Sequence, residues 1–270
     1  MTVSYWLKTA TQYLQSKSIV TARLDALVLL EDTILIDRAK VLAEPTTELS
    51  NAAVAALQKL LIRRGRNEPL AYIRGRAEFY GRVFKVSPAV LVPRPESETM
   101  IELLKTLPDL PAAPRIADVG SGSGALGIIA ALELPDAQVD LLEIDQAAIE
   151  MSEINVAYHT THISVIKSDL LAGASDEYDV LLCNLPYVPD EYEINQAAMH
   201  EPSIALFAGS DGLELYRQLF DQLRNSTNCP LYILCEAFPD QHATITSIAA
   251  SIGYETVQTE DFITVLRYKN

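Results

Sequence analysis

Apolar residues recur at helical spacing through about the first 70 positions of the chain. Three segments carry the pattern, each with apolar side chains three or four positions apart. They contain Trp6, Tyr13, Leu14, Leu24, Leu27, Leu30, Leu57 and Leu61. Thr21 and Ser50 precede the second and third segments and are expected to cap them, because a hydroxyl side chain can accept from the free N–H groups of a first helical turn. The spacing predicts a small all-α domain over residues 1–74.

The pattern changes to alternation between residues 75 and 95. From Phe79 to Val86, apolar and polar side chains alternate around Gly81, which predicts a short β-hairpin. The prolines at positions 88, 93 and 95 then fix the backbone in an extended form. We expect residues 75–95 to connect the helical domain to a second domain that covers residues 96–270.

From residue 114 onward, short apolar runs alternate with helical segments. Five runs are predicted as strands, at residues 115–119, 138–143, 162–167, 178–183 and 230–235. Helices are predicted at about residues 125–134, 147–158, 213–223 and 241–251. This alternation implies a doubly wound, mostly parallel α/β sheet, which binds ligands at the carboxyl ends of its strands. Two further strands, at residues 255–257 and 262–268, are too close for a crossover helix, so one should run antiparallel.

Acidic residues outnumber basic ones by 36 to 21, and the net charge is −15. Proteins that bind nucleic acid usually have a basic surface, because neutralising phosphates releases counterions, so direct binding to DNA is not expected. One stretch is locally basic and contains Arg63, Arg64, Arg66, Arg74, Arg76, Arg82 and Lys85. We interpret it either as a solvated surface with a few salt bridges or as a docking patch for an acidic or RNA-associated partner.

Several features of the sequence bear on the cellular compartment of the protein. No apolar run approaches the ~18–20 residues of a membrane span, and the N-terminal residues lack the apolar centre of a signal peptide. The three cysteines show no CxxC spacing and the four histidines are scattered, so no metal site is expected. Cys183 and Cys235 lie in apolar runs and are predicted to be buried free thiols. These features favour the reducing cytoplasm.

A glycine-rich loop follows the first predicted strand and opens the next helix. It comprises Asp118, Gly120, Ser121, Gly122, Ser123 and Gly124. Glycines let the backbone turn tightly and approach a ligand closely. Glu143, at the end of the second predicted strand, is placed to accept hydrogen bonds from both hydroxyls of a ribose. The two features together predict a nucleoside-binding site.

The ligand of this loop is ambiguous at first. Gly122, Gly124 and Gly127 match a dinucleotide fingerprint with an acid about 20 residues further on. That match begins two residues late, because Gly120 is the first glycine after the strand. Asp118 would repel a pyrophosphate, whereas it can meet the ammonium group of a methionine moiety. At this point S-adenosylmethionine and NAD both stay open.

The fourth predicted strand ends in Asn184, Leu185, Pro186 and Tyr187. A planar amide or aromatic amine is a poor nucleophile, because its lone pair is delocalised. Two acceptors on its N–H groups can fix its plane and offset the positive charge that grows on nitrogen. The Asn184 side-chain oxygen and the Leu185 carbonyl suit that role, and Tyr187 can stack on the flat group. A plain Asn-x-Pro turn is the alternative. With the glycine loop and Glu143, the tetrapeptide favours methyl transfer by direct displacement.

These features resemble the release-factor glutamine methyltransferases, an N5-glutamine methyltransferase family that uses S-adenosylmethionine. Further motifs that carry the resemblance are Pro69-Leu-Ala-Tyr-Ile-x-Gly75, Phe79 with Gly81, residues 90–98, Glu201-Pro202, Gly209-x-Asp-Gly212, and Glu236 with Gln241. The resemblance implies a five-helix N-terminal domain for substrate recognition, a hairpin linker and a seven-stranded Rossmann-like methyltransferase domain. It also implies a substrate, the glutamine in the Gly-Gly-Gln loop of peptide-chain release factors.

The resemblance also implies roles for individual residues. It implies that the cofactor is bound by Asp118, Gly120, Ser121, Gly122, Ser123, Gly124, Glu143, Asp169, Leu170 and Asn184. Asp169 and Leu170, after the third strand, would flank its adenine. The resemblance implies that Asn184, Leu185, Pro186 and Tyr187 bind the substrate and carry out catalysis.

The chain departs from the family pattern at four places. The family usually has Pro at Leu185, Thr at Ser97, Asp at Glu143 and an aromatic residue near Leu170. Leu185 keeps the carbonyl but loses the fixed φ of proline. We therefore expect slower turnover or an altered substrate.

Other functions stay open at the level of sequence. They are methylation of a ribosomal-protein glutamine, methylation of an adenine amino group in nucleic acid, and cofactor binding without turnover. An NAD-dependent oxidoreductase is disfavoured, because no residue pair suited to hydride transfer is evident.

Overall fold

The computed structural model describes residues 1–174 and 177–269, which form two compact units. The first unit contains Met1–Gly75 together with Asn195–His200, and the second contains Arg76–Ile194 and Glu201–Asn270. Within the described residues, no helix is both long and apolar enough to cross a membrane. The second unit carries the sheet and the glycine loop.

The first unit is helical, as its apolar spacing predicts. Its helices, within the described residues, are α1 (Val3–Ser16), α2 (Ala22–Ile34), α3 (Arg38–Ala43), α4 (Asn51–Arg64) and α5 (Leu70–Arg74). Trp6, Leu30 and Leu57 are almost fully buried in their common core. Ser50 caps α4, because its hydroxyl accepts from Ala53 N at 3.1 Å. The predicted all-α region is confirmed.

The prediction that Thr21 caps α2 is wrong. Its side chain makes no capping hydrogen bond, and its backbone has φ −87° and ψ 16°. A capping residue normally has an extended backbone, which turns the side-chain oxygen back toward the free N–H groups. Thr21 instead continues the helical path, and its carbonyl accepts from Asp25 N at 2.9 Å.

Several arginines of the locally basic stretch form ion pairs within the first unit. Arg64 Nε lies 2.6 Å from Asp25 Oδ2, and both side chains are nearly buried. Further pairs join Arg63 to Glu68 at 2.5 Å and Arg74 to Asp32 at 2.8 Å. These contacts agree with a salt-bridged surface, and the docking patch stays a prediction.

The second unit begins with a β-hairpin formed by β1 (Arg76–Phe79) and β2 (Arg82–Lys85). Tyr80 and Gly81 form its two-residue turn with φ +50° and +67°, and a type I′ turn requires positive φ at both positions. Phe79 and Phe84 are buried, with ring centroids 6.2 Å apart. The predicted hairpin is present, and it begins at Arg76 rather than Phe79.

A seven-stranded sheet forms the centre of the described part of the second unit. Its strands are β3 (Arg115–Val119), β4 (Gln138–Glu143), β5 (Ser164–Lys167), β6 (Val180–Cys183), β7 (Tyr232–Glu236), β8 (Tyr254–Glu260) and β9 (Ile263–Tyr268). Its helices are α6 (Glu98–Thr106), α7 (Ala125–Glu133), α8 (Gln146–His159), α9 (Glu214–Arg224) and α10 (His242–Ala250).

The strand order is β5-β4-β3-β6-β7-β9-β8, and the five strands from β5 to β7 are parallel. β9 runs antiparallel to both β7 and β8. Only Asp261 and Phe262 join β8 to β9, which is too short for the crossover that a parallel pair needs. The doubly wound, mostly parallel sheet and its antiparallel strand are confirmed.

Most strand boundaries differ from the prediction by one or two residues, as for β6 and β7, which begin at Val180 and Tyr232 rather than at residues 178 and 230. The differences at β5 and β8 have a local cause. β5 begins at Ser164 rather than His162, because Thr160 ends α8 in a left-handed conformation and the next residues reverse the chain. β8 extends to Glu260, well beyond the predicted residues 255–257. It is an edge strand whose side chains are almost all exposed, so apolar alternation does not mark its length.

The strand order reverses between β3 and β6, and this reversal locates the site. Open α/β sheets bind ligands in the crevice outside the carboxyl ends of strands at such a switch point. The fully buried Tyr216 of α9 braces the neighbouring strand ends, since its hydroxyl lies 2.8 Å from Cys183 O and 2.6 Å from Glu236 O. Cys183 and Cys235 are fully buried, as predicted.

Candidate active site

The carboxyl ends of β3, β4, β5 and β6 open into one cleft of the second unit. The cleft encloses about 1170 Å³ of empty space, part of it open to solvent. The predicted site residues that line it are Asp118, Gly120, Ser121, Gly122, Ser123, Glu143, Asp169, Leu170, Asn184, Leu185 and Pro186. Gly124 and Tyr187 are not among the residues that line it.

The glycine loop has a left-handed backbone at Gly120, Gly122 and Gly124, with φ of +70°, +55° and +76°. Residues with a Cβ are strained in this region. A Cβ at Gly124 would also lie 2.8 Å from Leu141 Cδ1, whereas one at Gly122 would meet nothing within 4 Å. The loop therefore packs tightly on the sheet at one end and faces open space at Gly122.

Ser121 is a polar group of the loop that lacks a protein partner. Its Oγ is buried and has no hydrogen bond within residues 1–174 and 177–269, although the residue lines the cleft. Leaving such a group unpaired costs about 1–3 kcal/mol. The hydroxyl is therefore suited to a polar ligand.

Asn155 of α8 holds the loop from behind, and sequence analysis missed it. Its side chain is fully buried, and its Nδ2 donates to Ser123 O at 2.9 Å and to Lys85 O at 3.0 Å. Its Oδ1 accepts from Lys85 N at 2.7 Å. The one sequence signal is a pair of polar residues, Ser152 and Asn155, on the buried face of α8, and it does not reveal partners so distant in the chain.

Asp118 lies at the floor of the cleft and is only 1% exposed. Its Oδ2 accepts from Gly127 N at 2.8 Å. Burial raises the pKa of this carboxyl to about 7, which the Gly127 hydrogen bond opposes and the nearby Glu143 carboxylate reinforces. A cationic group in the cleft would favour the ionised form of Asp118.

The Glu143 carboxylate joins the end of β4 to the glycine loop. Its Oε2 accepts from Gly122 N at 2.8 Å, and its Oε1 accepts from Ile144 N and Asp145 N at 2.8 and 2.9 Å. A carboxylate offers about four acceptor positions, so roughly one stays available. As arranged here, Glu143 can take one ribose hydroxyl. Accepting from two, as the sequence suggested, requires release of the Gly122 N–H.

Asp169 and Leu170 follow β5 and differ in their exposure to solvent. Asp169 is exposed and Leu170 is buried, and both line the cleft. Ser168 Oγ donates to Leu170 O at 2.6 Å, which supports Leu170 in a left-handed conformation with φ +52°. The pair thus offers one polar and one apolar surface side by side.

Asn184 stands at the end of β6 and lines the cleft together with Ser97. Its Nδ2 donates to the buried Ser97 Oγ at 2.9 Å. Its Oδ1 takes no part in this hydrogen bond. Leu185 is 1% exposed, and its side chain packs beneath Gly120, where an added Cβ would lie 3.1 Å from Leu185 Cδ2. The leucine that replaces the family's usual proline is therefore a core residue as well as a part of the motif.

Tyr187 is held by contacts with Glu236, Phe238 and Gln241. Its hydroxyl donates to Glu236 Oε1 at 3.2 Å, and its ring packs edge-on against Phe238 with 5.1 Å between centroids. Gln241 fixes the same turn, because its Nε2 donates to Tyr187 O and Asp211 O, each at 2.8 Å. The Glu236 and Gln241 pair thus supports the end of the tetrapeptide.

The proline-rich segment before α6 is tied to the loop that contains Glu201. Arg94 Nη2 lies 2.7 Å from Glu201 Oε2, whose side chain is almost fully buried. Burial raises the pKa of the Glu201 carboxyl, and Arg94 opposes that rise. Arg94 and Pro202 both line the cleft, so this ion pair shapes its wall.

Comparison with known proteins assigns both parts of the chain. The model described as the PrmC N-terminal domain matches residues 5–75, and the methyltransferase small domain matches residues 97–206. The release factor glutamine methyltransferase of Coxiella burnetii is 35% identical over 240 residues, covering 88% of this chain and 86% of that protein. The protein of the same name from Escherichia coli K12 is 30% identical over 264 residues, covering 96% and 94%.

A solved structure shows the same fold. The Thermus thermophilus 16S rRNA N2 G1207 methyltransferase, in complex with AdoMet and guanosine, aligns with a TM-score of 0.52 at 16% identity. The alignment covers 72% of this chain and 50% of that one.

Proposed function

The chain belongs to the release factor glutamine methyltransferase family, and from this premise we propose that it methylates a glutamine of a peptide-chain release factor. It is a methyltransferase. The methyl group goes to the side-chain amide nitrogen, N5, of the glutamine in the Gly-Gly-Gln loop. One observation in the chain itself carries the proposal: Asn184 donates its amide hydrogen to buried Ser97, so its Oδ1 can accept from a substrate amide.

S-adenosylmethionine is the methyl donor in this proposal, and the cleft suits it. Ser121 supplies an unpartnered buried hydroxyl, and Glu143 keeps about one acceptor position for a ribose hydroxyl. Asp118 supplies a carboxylate for the ammonium group, and Asp169 and Leu170 flank the adenine. When bound, the cofactor supplies a methyl group on a positively charged sulfur, which a weak nitrogen nucleophile can attack.

The protein's part in the reaction is to position the amide and stabilise charge. Asn184 Oδ1 and the Leu185 carbonyl accept from the two N–H groups of the glutamine amide and fix its plane. Both are fixed dipoles, so they favour the positive charge that develops on nitrogen without reorganising. Pro186 limits the backbone of the turn that presents them. The N–C bond would form as the methyl–sulfur bond breaks and its electron pair returns to sulfur, and one N–H proton would then pass to solvent, so no covalent intermediate with the enzyme is required.

A release factor agrees better with the charge of the chain than a nucleic acid does. With a net charge of −15 and several arginines of the basic stretch in ion pairs, the protein offers little to a phosphate backbone. The relatives that cover most of the chain are named for a release factor. Methylation of an adenine or of a ribosomal-protein glutamine is therefore not favoured. We propose that the reaction takes place in the cytoplasm, where release factors act.

Replacement of Asn184 tests the proposed mechanism. We expect Asn184→Ala to lower the rate of methyl transfer to a purified release factor by about 100-fold or more, the usual cost of removing one such polar group. The affinity for S-adenosylmethionine, measured by calorimetry on the same preparation, should change little. Wild-type transfer rates in the variant would contradict the role of Asn184, and loss of cofactor binding would place Asn184 in the cofactor site instead.

A further inference from the structure

A carboxyl group is buried beside the proposed catalytic residues, and the mechanism above gives it no role. Glu236 ends β7 and is fully buried. Tyr187 donates to its Oε1 at 3.2 Å, but its Oε2 has no hydrogen-bond partner among the described residues. A buried carboxyl is costly to maintain without full compensation. Its position therefore calls for a function.

Ser97 lies between this carboxyl and Asn184. The serine hydroxyl accepts from Asn184 Nδ2 at 2.9 Å and is itself 2% exposed. Because it accepts from Asn184, its own proton is free to point at Glu236. Ser97 and Asn184 both face the Glu236 carboxyl closely enough to lower its pKa.

We infer that Glu236 is a positioning residue that, through Ser97, holds the Asn184 amide with its nitrogen inward and its oxygen toward the substrate. The inference rests on the proposed function, because it concerns the residue that receives the glutamine. An ionised carboxylate can only accept hydrogen bonds, and a Ser97 hydroxyl that turns its proton toward the unpartnered Oε2 can itself only accept from Asn184. Both therefore require an N–H from Asn184. The reversed amide would place two acceptors against each other and an N–H against the substrate.

The strand ends make this orientation rigid. Tyr216 braces the main chain of β6 and β7 through Cys183 O and Glu236 O, so Asn184 and Glu236 keep a fixed separation. The negative charge of an ionised Glu236 also favours positive charge on the substrate nitrogen.

Protonation of Glu236 would weaken its control over the orientation of the Asn184 amide. Burial raises its pKa to about 7, while Ser97, Tyr187 and Asn184 lower it and Glu96 raises it. The charged or titratable groups around it are Glu96 and Arg94 of the segment before α6, Tyr187 after β6, Tyr216 of α9, and the Cys183 and Cys235 thiols. The carboxylate form is present above pH 7 and is lost as pH falls through that value. A protonated Glu236 can donate, so it no longer enforces one amide orientation.

The kinetic test compares wild type with Glu236→Gln, which keeps the shape and removes the charge. At saturating substrates, we expect kcat to fall about 10- to 100-fold, as for other buried partners that orient a reacting group. The KM for S-adenosylmethionine should stay unchanged. The rise of wild-type kcat through pH 7 should be smaller in Glu236→Gln. Asp118 also has a pKa near 7, but it is retained in both proteins, so only the difference between the profiles reports on Glu236.

Companion variants separate positioning from folding. Ser97→Ala should lower kcat in the same way, and Ser97→Thr should recover most of that loss because it keeps the hydroxyl. Asp179→Asn is the matched control, since Asp179 Oδ2 accepts from Arg115 N at the opposite ends of the strands. It should leave kcat unchanged. Wild-type kcat and an unchanged pH profile in Glu236→Gln would overturn the inference.

A second measurement does not depend on turnover. In ¹⁵N NMR spectra, the Asn184 side-chain NH₂ pair is identified as the one missing from Asn184→Asp. We expect its shifts to move through pH 7 in the wild type and to become independent of that titration in Glu236→Gln. Identical behaviour in both proteins would contradict the inference even if kcat falls. A wild-type enzyme that transfers no methyl group to a release factor would instead contradict the proposed function, and the NMR result would still decide the role of Glu236.

Discussion

Leu185 shows how a single residue can serve both the motif and the core. Its carbonyl is a proposed acceptor for the substrate, while its side chain is buried beneath Gly120. A proline at this position would fix φ and stiffen the turn. It would also shorten the side chain below the glycine loop, and removing buried methyl groups leaves a cavity that costs stability.

Replacement of Leu185 by proline should therefore have opposite effects on rate and stability. We expect Leu185→Pro to raise kcat, because the acceptor carbonyl is held more firmly, and to lower the free energy of unfolding by about 1–3 kcal/mol. Steady-state kinetics and urea unfolding on one preparation measure the two effects. A variant that is folded at the assay temperature yet gains no rate would contradict the idea that flexibility at Leu185 limits turnover.

The sequence predicts which residues reach the cleft better than it predicts how they are held there. The glycine loop, Glu143 and Asn184 were found because they follow predicted strands, and strand ends converge at one edge of a parallel sheet. The partners of Glu143 could not be predicted, because its contact with Gly122 N depends on how the loop folds back. The link from Asn184 to Ser97 spans 87 residues and has no local signature.

At the level of elements, α8 connects the hairpin to the glycine loop. Asn155 bonds to Lys85 at the end of β2 and to Ser123 in the loop. His159, one turn further along α8, bonds through Nε2 to Val83 O at 3.0 Å and contacts only the hairpin strand in this way. Asn155 therefore links α8 to the glycine loop of the proposed cofactor site, whereas the hydrogen bond of His159 links α8 to the hairpin.

These two side chains provide a matched pair of variants. We expect Asn155→Ala to destabilise the protein by about 1–3 kcal/mol, because it leaves buried backbone groups unpaired. It should also weaken S-adenosylmethionine binding about tenfold, because the loop loses its support. His159→Ala should reduce stability and leave the cofactor affinity unchanged. Thermal unfolding and calorimetric titration measure both, and equal cofactor affinities in the two variants would argue against α8 as the support of the loop.

The elements themselves were largely predictable, and the errors have local causes. Apolar runs mark the buried strands, but the exposed edge strand β8 carries few apolar residues, so its length was underestimated. Thr21 has the residue type of a cap without its backbone conformation. Residue type alone cannot distinguish such a position from Ser50, which does cap its helix.

At the level of the whole molecule, charge and family membership point to a protein substrate. The chain is acidic, and the arginines at 63, 64 and 74 are engaged by carboxylates of the first unit. Its relatives in the release factor glutamine methyltransferase family match both the N-terminal and the catalytic part of the chain. The fold alone would not decide the substrate, since methyltransferases of RNA share the same sheet.

The most direct test is transfer of a labelled methyl group from S-adenosylmethionine to a purified release factor. The control is the same factor with Gln→Ala in its Gly-Gly-Gln loop. We predict label on the wild-type factor, mapped by mass spectrometry to that glutamine, and none on the control. Label that persists in the control, or an enzyme that binds S-adenosylmethionine but leaves the wild-type factor unmodified, would contradict the proposed function.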